Sequence, residues 1–333
     1  MAQGEAPDSP SRPDRRGVTL VMRNRPRVSE VRVMLQPVVA GVDGSAESLA
    51  AAEWAAREAE RRDRPLRLVH AWNWHPRQSD GVPANAAERY LAGRSLRQAE
   101  ERIRGAVPGV RLYDEQVEGP AAVALVKAAE QADLLVLGSR GLSGLAGFVV
   151  GSVAQDVVAR ATRPVVLVRS EEEAADEHLP ADDGSASTRT GYRDVVLGLD
   201  LADRCDEVIE FAFAAARLRR ARLRVVHAWR APSPLSLGPG DIGLVSDSTR
   251  EEEWQGFLSA VLQIWRDKYP DVEVVESVSE GKAPTALIRA ASGASLLVVG
   301  HRLAERPVGP RTGPVTHAVI HHIGCPVAVV PHE

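Results

Sequence analysis

The residues best placed to do chemistry are three glycines and a serine. Gly138, Gly141, Gly151 and Ser152 stand at Gly-x2-Gly-x9-Gly-Ser spacing. Apolar Leu134-Leu135-Val136-Leu137 runs into this segment, and Val153, Val157 and Val158 follow it at helical spacing. A buried strand thus delivers the chain into a glycine loop that opens a helix. Backbone N–H groups freed by glycine, a helix N-terminus and a serine hydroxyl together make an anion site. The anion they suit is the phosphate chain of a nucleotide. Each residue also has a plain structural use. Gly138 and Gly141 can serve a tight turn, Ser152 can cap the helix, and Asp43 can cap the helix after its own strand.

Other chemistries have weaker signals. His317 and His321 share a helix face and Cys325 follows, a spacing open to a metal. Their counterparts elsewhere in the chain are Gln155, Ala159 and Arg163, so the fold does not need them. No Gly-x4-Gly-Lys-Ser/Thr loop exists, and strand 38–42 is not followed by Gly-x-Gly-x-x-Gly. Asp43 is a single carboxylate without an evident lysine or second acid for phosphoryl transfer. His70 and His227 read as residues packed within strands.

The elements that must position these groups occur twice. Val38-Val39-Ala40-Gly41-Val42-Asp43 matches Val195-Val196-Leu197-Gly198-Leu199-Asp200, and Val69-His70-Ala71-Trp72 matches Val226-His227-Ala228-Trp229 at the same offset. Further on, Gly119, Gly138, Gly151 and Pro164 match Gly281, Gly300, Gly313 and Pro326 at a second constant offset. Such internal repetition marks a duplicated unit. The first copy alternates strands at 37–42, 66–72, 110–117, 133–137 and 164–169 with helices at 46–62, 85–106, 120–131 and 152–161. Alternating apolar strands and helices predict an α/β fold with a parallel sheet covered by helices.

The chain has 333 residues, enough for about two domains of ~150 residues. Residues 1–34 read as a disordered tail, 35–170 as the first domain, 171–190 as an acidic solvated linker and 191–333 as the second domain. The net charge of −4 makes no case for nucleic acid. No apolar run reaches a membrane span. Two cysteines are too few for a disulfide scaffold, so a reducing cytoplasm is the expected compartment.

Together, the glycine spacing, Asp43 at the end of the first strand, His70 and the closing Pro-Val-Val-Leu-Val strand resemble the nucleotide-binding branch of the universal stress protein family. The resemblance spans both copies, roughly 37–169 and 192–331. It implies tandem five-stranded domains of the adenine nucleotide alpha-hydrolase-like fold, with strand order 3-2-1-4-5. It implies a ligand crevice where the strand order reverses, taking ATP, with Mg²⁺ allowed. Ala40, Val42 and Ala71 would line the adenine and ribose end, and Asp43 would accept a hydrogen bond from the nucleoside. Gly138, Gly141, Gly151, Ser152 and the N–H of Val153 would hold the phosphates, with Arg140 adding a cation. Trp72 and Trp229 would flank the crevices. The family's domains pair through their last strands, here 164–168 and 326–330, and further homodimerisation stays open.

The second copy departs from the motif, with Leu303 for Gly141 and Pro314 for Ser152. Proline supplies neither hydroxyl nor N–H. ATP is therefore expected on the first copy and weakly, or not at all, on the second. The expected role is a nucleotide-dependent stress sensor or regulator, not an enzyme, acting on an unidentified protein partner. The alternatives are a nucleotide-independent interaction module, a cyclic AMP binder, or a slow ATPase autophosphorylating at Ser139, Ser143 or Ser152.

Overall fold

The computed structural model describes residues 35–72, 84–139, 150–203, 205–230, 247–303 and 312–333. The expected tail lies outside them, as do Arg140, Gly141 and Ser143. In chain order, the first half holds β1 (Val38–Gly41), α1 (Ala46–Arg61), β2 (Leu66–Trp72), α2 (Ala84–Ala106), β3 (Leu112–Glu118), α3 (Ala121–Ala129), β4 (Leu134–Ser139), α4 (Ser152–Val158) and β5 (Val165–Arg169). The second half holds β6 (Val195–Gly198), α5 (Asp206–Arg219), β7 (Leu223–Trp229), α6 (Asp247–Lys268), β8 (Val274–Glu280), α7 (Ala283–Ala290), β9 (Leu296–Arg302), α8 (Pro314–His322) and β10 (Val327–His332).

All ten strands form one sheet in the order β3-β2-β1-β4-β5-β10-β9-β6-β7-β8. Each half therefore has the 3-2-1-4-5 order, and pairing within each half is parallel. The halves join antiparallel through their last strands, with Val166 opposite Ala328. That junction covers two apolar edges that would otherwise template aggregation. Strand alternation sends Val38, Ala40, Leu66, Leu68, Leu134 and Val136 to one face and Val39, Val69, Leu135 and Leu137 to the other. The matching Gly119 and Gly281 sit at φ +131° and +135°, a region that favours glycine. Each donates its N–H to a strand-end tryptophan carbonyl, Trp72 or Trp229, at 2.9 Å.

The acidic segment after β5 is solvated along most of its length, with Glu171, Glu173, Asp176, Asp182 and Asp183 exposed, but Glu172 and Glu177 are buried. It folds back through a short 3₁₀ turn, Ala174–Glu177, onto α1. Glu177 is fully buried and accepts from Arg57 Nε at 3.0 Å and from Arg61. His178 bridges to Tyr192, and their rings lie 4.0 Å apart. Beneath it, Glu58 of α1 meets Arg219 of α5 at 2.7 Å, both fully buried, while Arg61 and Arg62 also hold Glu58 at 3.0 and 2.7 Å. Burial works to raise the Glu58 carboxyl, but the guanidinium groups of Arg219, Arg62 and Arg61 outweigh it and hold it far below the usual range. Composition registers the charges of this cluster but not the arginines they meet from elements far away in sequence.

Candidate functional site

The first-half crevice lies where the strand order reverses. β1 and β4 run side by side with Ala40 opposite Val136, so Asp43 and Ser139 leave the sheet at the same edge. Ligands of open parallel sheets collect at such a point. Asp43 is exposed, and its Oδ1 accepts from the Ser45 N–H at 2.9 Å and the Ser45 hydroxyl at 2.5 Å. Ser45 in turn caps α1 by accepting from the Ser48 N–H at 3.2 Å. Partial burial pushes the Asp43 carboxyl up, but the hydrogen bonds from Ser45 and Ser48 prevail and hold it below its ordinary value. Asp43 is thus a committed anion that also positions the first turn of α1.

The helix expected over 152–161 ends at Val158. Its cap is Gly151, at φ −60° and ψ 149°, with no side-chain cap bond. Ser152 is the first helical residue and is exposed, so its use as the N-cap does not hold. An exposed hydroxyl thus sits at the positive end of a helix whose cap residue offers no side chain to its first-turn N–H groups. Val153 is exposed beside them.

The named residues do not all converge. Ala40 is fully buried in the core beneath α1 and α2, with Val42 on the same face. Ala71 alternates to the opposite face with Val69. Ala40 therefore offers no surface to a ligand. Gly138 turns its missing side chain toward α1. A Cβ built there would lie 2.5 Å from the Glu47 carbonyl carbon and 2.8 Å from the Ser48 N, so this glycine lets α1 pack on the sheet. Gly151 has open space around it.

The second half shows the corresponding positions closed around a cavity of about 910 Å³. Gly198, Leu199, Asp200, Ala228, Gly300, Gly313 and Pro314 line it. These match Gly41, Val42, Asp43, Ala71, Gly138, Gly151 and Ser152 of the first half. Asp200 repeats the Asp43 turn, accepting from the Ala202 N–H at 3.0 Å. Leu197, the match of Ala40, is core and does not line the cavity. Trp229 is buried and does not line it either, which corrects its placement at the crevice. His227 does line it, donating from Nδ1 to the Leu199 carbonyl at 3.0 Å. The sequence signal for that role was the exact repeat of Val-His-Ala-Trp, read instead as core packing.

His317 and His321 lie on one face of α8 with rings 4.5 Å apart, and His321 Nε2 stands 3.4 Å from Gln155 Nε2 of α4. Cys325 is buried. Among the described residues no group of three or more His, Cys, Asp or Glu is arranged to hold a metal ion. No described helix is long and apolar enough to cross a membrane.

Comparison with known proteins agrees with this architecture. A universal stress protein of Mycobacterium tuberculosis is 30% identical over 302 residues, covering 88% of this chain and 96% of its own. A universal stress protein of Mycolicibacterium smegmatis is 29% identical over 306 residues, covering 88% and 96%. The crystal structure of a universal stress protein from Archaeoglobus fulgidus superposes with a TM-score of 0.66 at 17% identity, over 89% of this chain and 98% of that one. The universal stress protein family model matches residues 34–169 and again 191–331, and this chain belongs to that family.

Proposed function

We propose that the first half binds ATP and that the chain acts as a nucleotide-dependent regulator with little or no turnover. The observation that carries this is the uncapped N-terminus of α4. Supporting it, Ser152 is exposed at the first position of α4, and Asp43 leaves β1 next to β4, the strand that leads toward that helix. Phosphates suit the helix end. Asp43, held ionised by Ser45, suits a ribose hydroxyl donor. Mg²⁺ would share the phosphate charge. Among the described residues the hydrogen-bond partners of Asp43 are Ser45 and Ser48, and the His70 imidazole lies close enough to feel its charge.

The test is a thermal-shift titration with ATP, ADP, AMP and cyclic AMP, with and without Mg²⁺. A ligand at ~100 times its Kd should add about 2.7 kcal/mol to stability. The largest shift is expected with ATP. A larger shift with cyclic AMP would replace ATP as the ligand, and no shift with any nucleotide would leave a nucleotide-independent interaction module.

A further inference from the structure

The helices that lead into the two paired strands meet across the junction of the halves. α4 precedes β5, α8 precedes β10, and β5 pairs with β10. At the meeting point His321 of α8 sets its Nε2 3.4 Å from the side-chain amide nitrogen of Gln155 on α4. One turn earlier on α8, the His317 ring lies 4.5 Å from that of His321, tilted by 59°. Residues four apart on a helix share a face. The two imidazoles and the amide therefore form one cluster drawn from both halves.

Core packing does not call for these histidines. His317 is exposed and His321 only half-buried. The matching first-half positions hold Gln155 and Ala159, and α4 folds without an imidazole at either. What the pair brings to α8 is donor chemistry. Neutral imidazole is a ligand for Zn²⁺, and two donors each ~2.1 Å from one tetrahedral ion stand ~3.4 Å apart. That is the separation between His321 Nε2 and the Gln155 amide. A half-turn of the amide exchanges its nitrogen for its oxygen, so Oε1 takes that place as a donor to the ion. Rings 4.5 Å apart bring one nitrogen of each to the same span by a turn about χ2. Among the described residues no third His, Cys, Asp or Glu joins the pair, so the buried Cys325 stays outside the cluster and a fourth position is left to water. Mg²⁺ and Ca²⁺ prefer oxygen ligands throughout, which makes this a site for a transition metal.

We propose that His317, His321 and Gln155 form a Zn²⁺ site that ties α8 of the second half to α4 of the first. The assignment does not rest on the nucleotide reading of the first half.

The experiment is calorimetric titration of the full chain, free of nucleotide and of any affinity tag, with ZnCl₂. His317→Ala, at an exposed position, His321→Ala and Gln155→His are titrated alongside, and circular dichroism checks that each is folded. Wild type is expected to bind one Zn²⁺ per chain, and loss of either imidazole to weaken binding at least about tenfold, 1.4 kcal/mol or more. Gln155→His puts a third imidazole on α4 and is expected to tighten binding at least about tenfold. No Zn²⁺ binding by wild type would overturn the site. Undiminished binding by both alanine variants would place the ion on other groups and overturn it as well. Weakening in both, with Gln155→His no tighter than wild type, would leave a pair on α8 alone and overturn the tie between the halves.

Discussion

Ser152→Pro separates binding chemistry from fold, because the chain has already made the same change in its second copy. Pro314 opens α8 where Ser152 opens α4. The preceding glycines have nearly the same backbone, Gly151 at φ −60°, ψ 149° and Gly313 at φ −59°, ψ 157°. That extended conformation is the one proline requires of its predecessor. The first helical position also suits proline, since its N–H has no intrahelical partner. Ser152 makes no cap bond that would be lost. Stability should therefore change by less than about 1 kcal/mol, with a small entropic gain from the unfolded state. Binding should change much more. The variant removes a hydroxyl and an N–H from the phosphate site, and each hydrogen bond to a charged group is worth roughly 1.5–3 kcal/mol. The two together amount to about 3–6 kcal/mol, or a rise in Kd on the order of 10²–10⁴. Isothermal calorimetry with ATP reads the affinity, and urea unfolding without nucleotide reads the fold. A change in Kd below about tenfold, in a variant as stable as wild type, would refute phosphate binding at α4.

Four further predictions concern what holds the crevices in place. Glu58→Leu leaves Arg219 buried without its partner and should cost about 3–5 kcal/mol, whereas Glu58→Leu/Arg219→Leu should recover most of it; urea unfolding of both variants reads the difference, and a double variant no better than the single would refute the pairing. The Glu58 carboxyl is depressed in the folded state from 4.5, so its stabilisation is present above about pH 4.5 and lost as pH falls; the single variant should flatten the acid limb of the stability profile. Glu172 behaves oppositely: burial, with Glu177 and Asp176 nearby, pushes its pKa up from 4.5 to about 8. Its contribution is fully present below pH 4.5 and is lost as pH rises through 8, so Glu172→Gln should melt higher than wild type at pH 8 and match it near pH 4.5. Gly138→Ala should destabilise by about 1–3 kcal/mol, because its Cβ meets helix backbone at 2.5 Å, and a melt as high as wild type would contradict that packing.

The first-half strands and helices were legible because short apolar runs and helical stripes mark them locally. A short apolar run marks β1, and the alanine stripe of α1 marks a helix that buries Ala52, Ala56 and Ala59. The strand order and the join through β5 and β10 came as implications of the family resemblance, and the ten-stranded sheet bears them out. Glycine landmarks survived for a local reason at Gly119 and Gly281, where φ is positive. Which faces meet was another matter. Gly138 looked like a phosphate glycine, yet its missing side chain makes room for α1, an element some ninety residues earlier in the chain. Ala40 and Ala71 look alike in sequence but fall on opposite faces once register is set. The acidic segment read as solvated throughout, whereas Arg57 and Arg61 draw Glu177 into the interior. The α4–β5 turn gained its place in the second-half cavity only through the antiparallel pairing of β5 with β10. Local sequence fixes backbone period and turn chemistry. Charge pairing, close approach and shared walls depend on groups distant along the chain, and only tertiary packing brings those together.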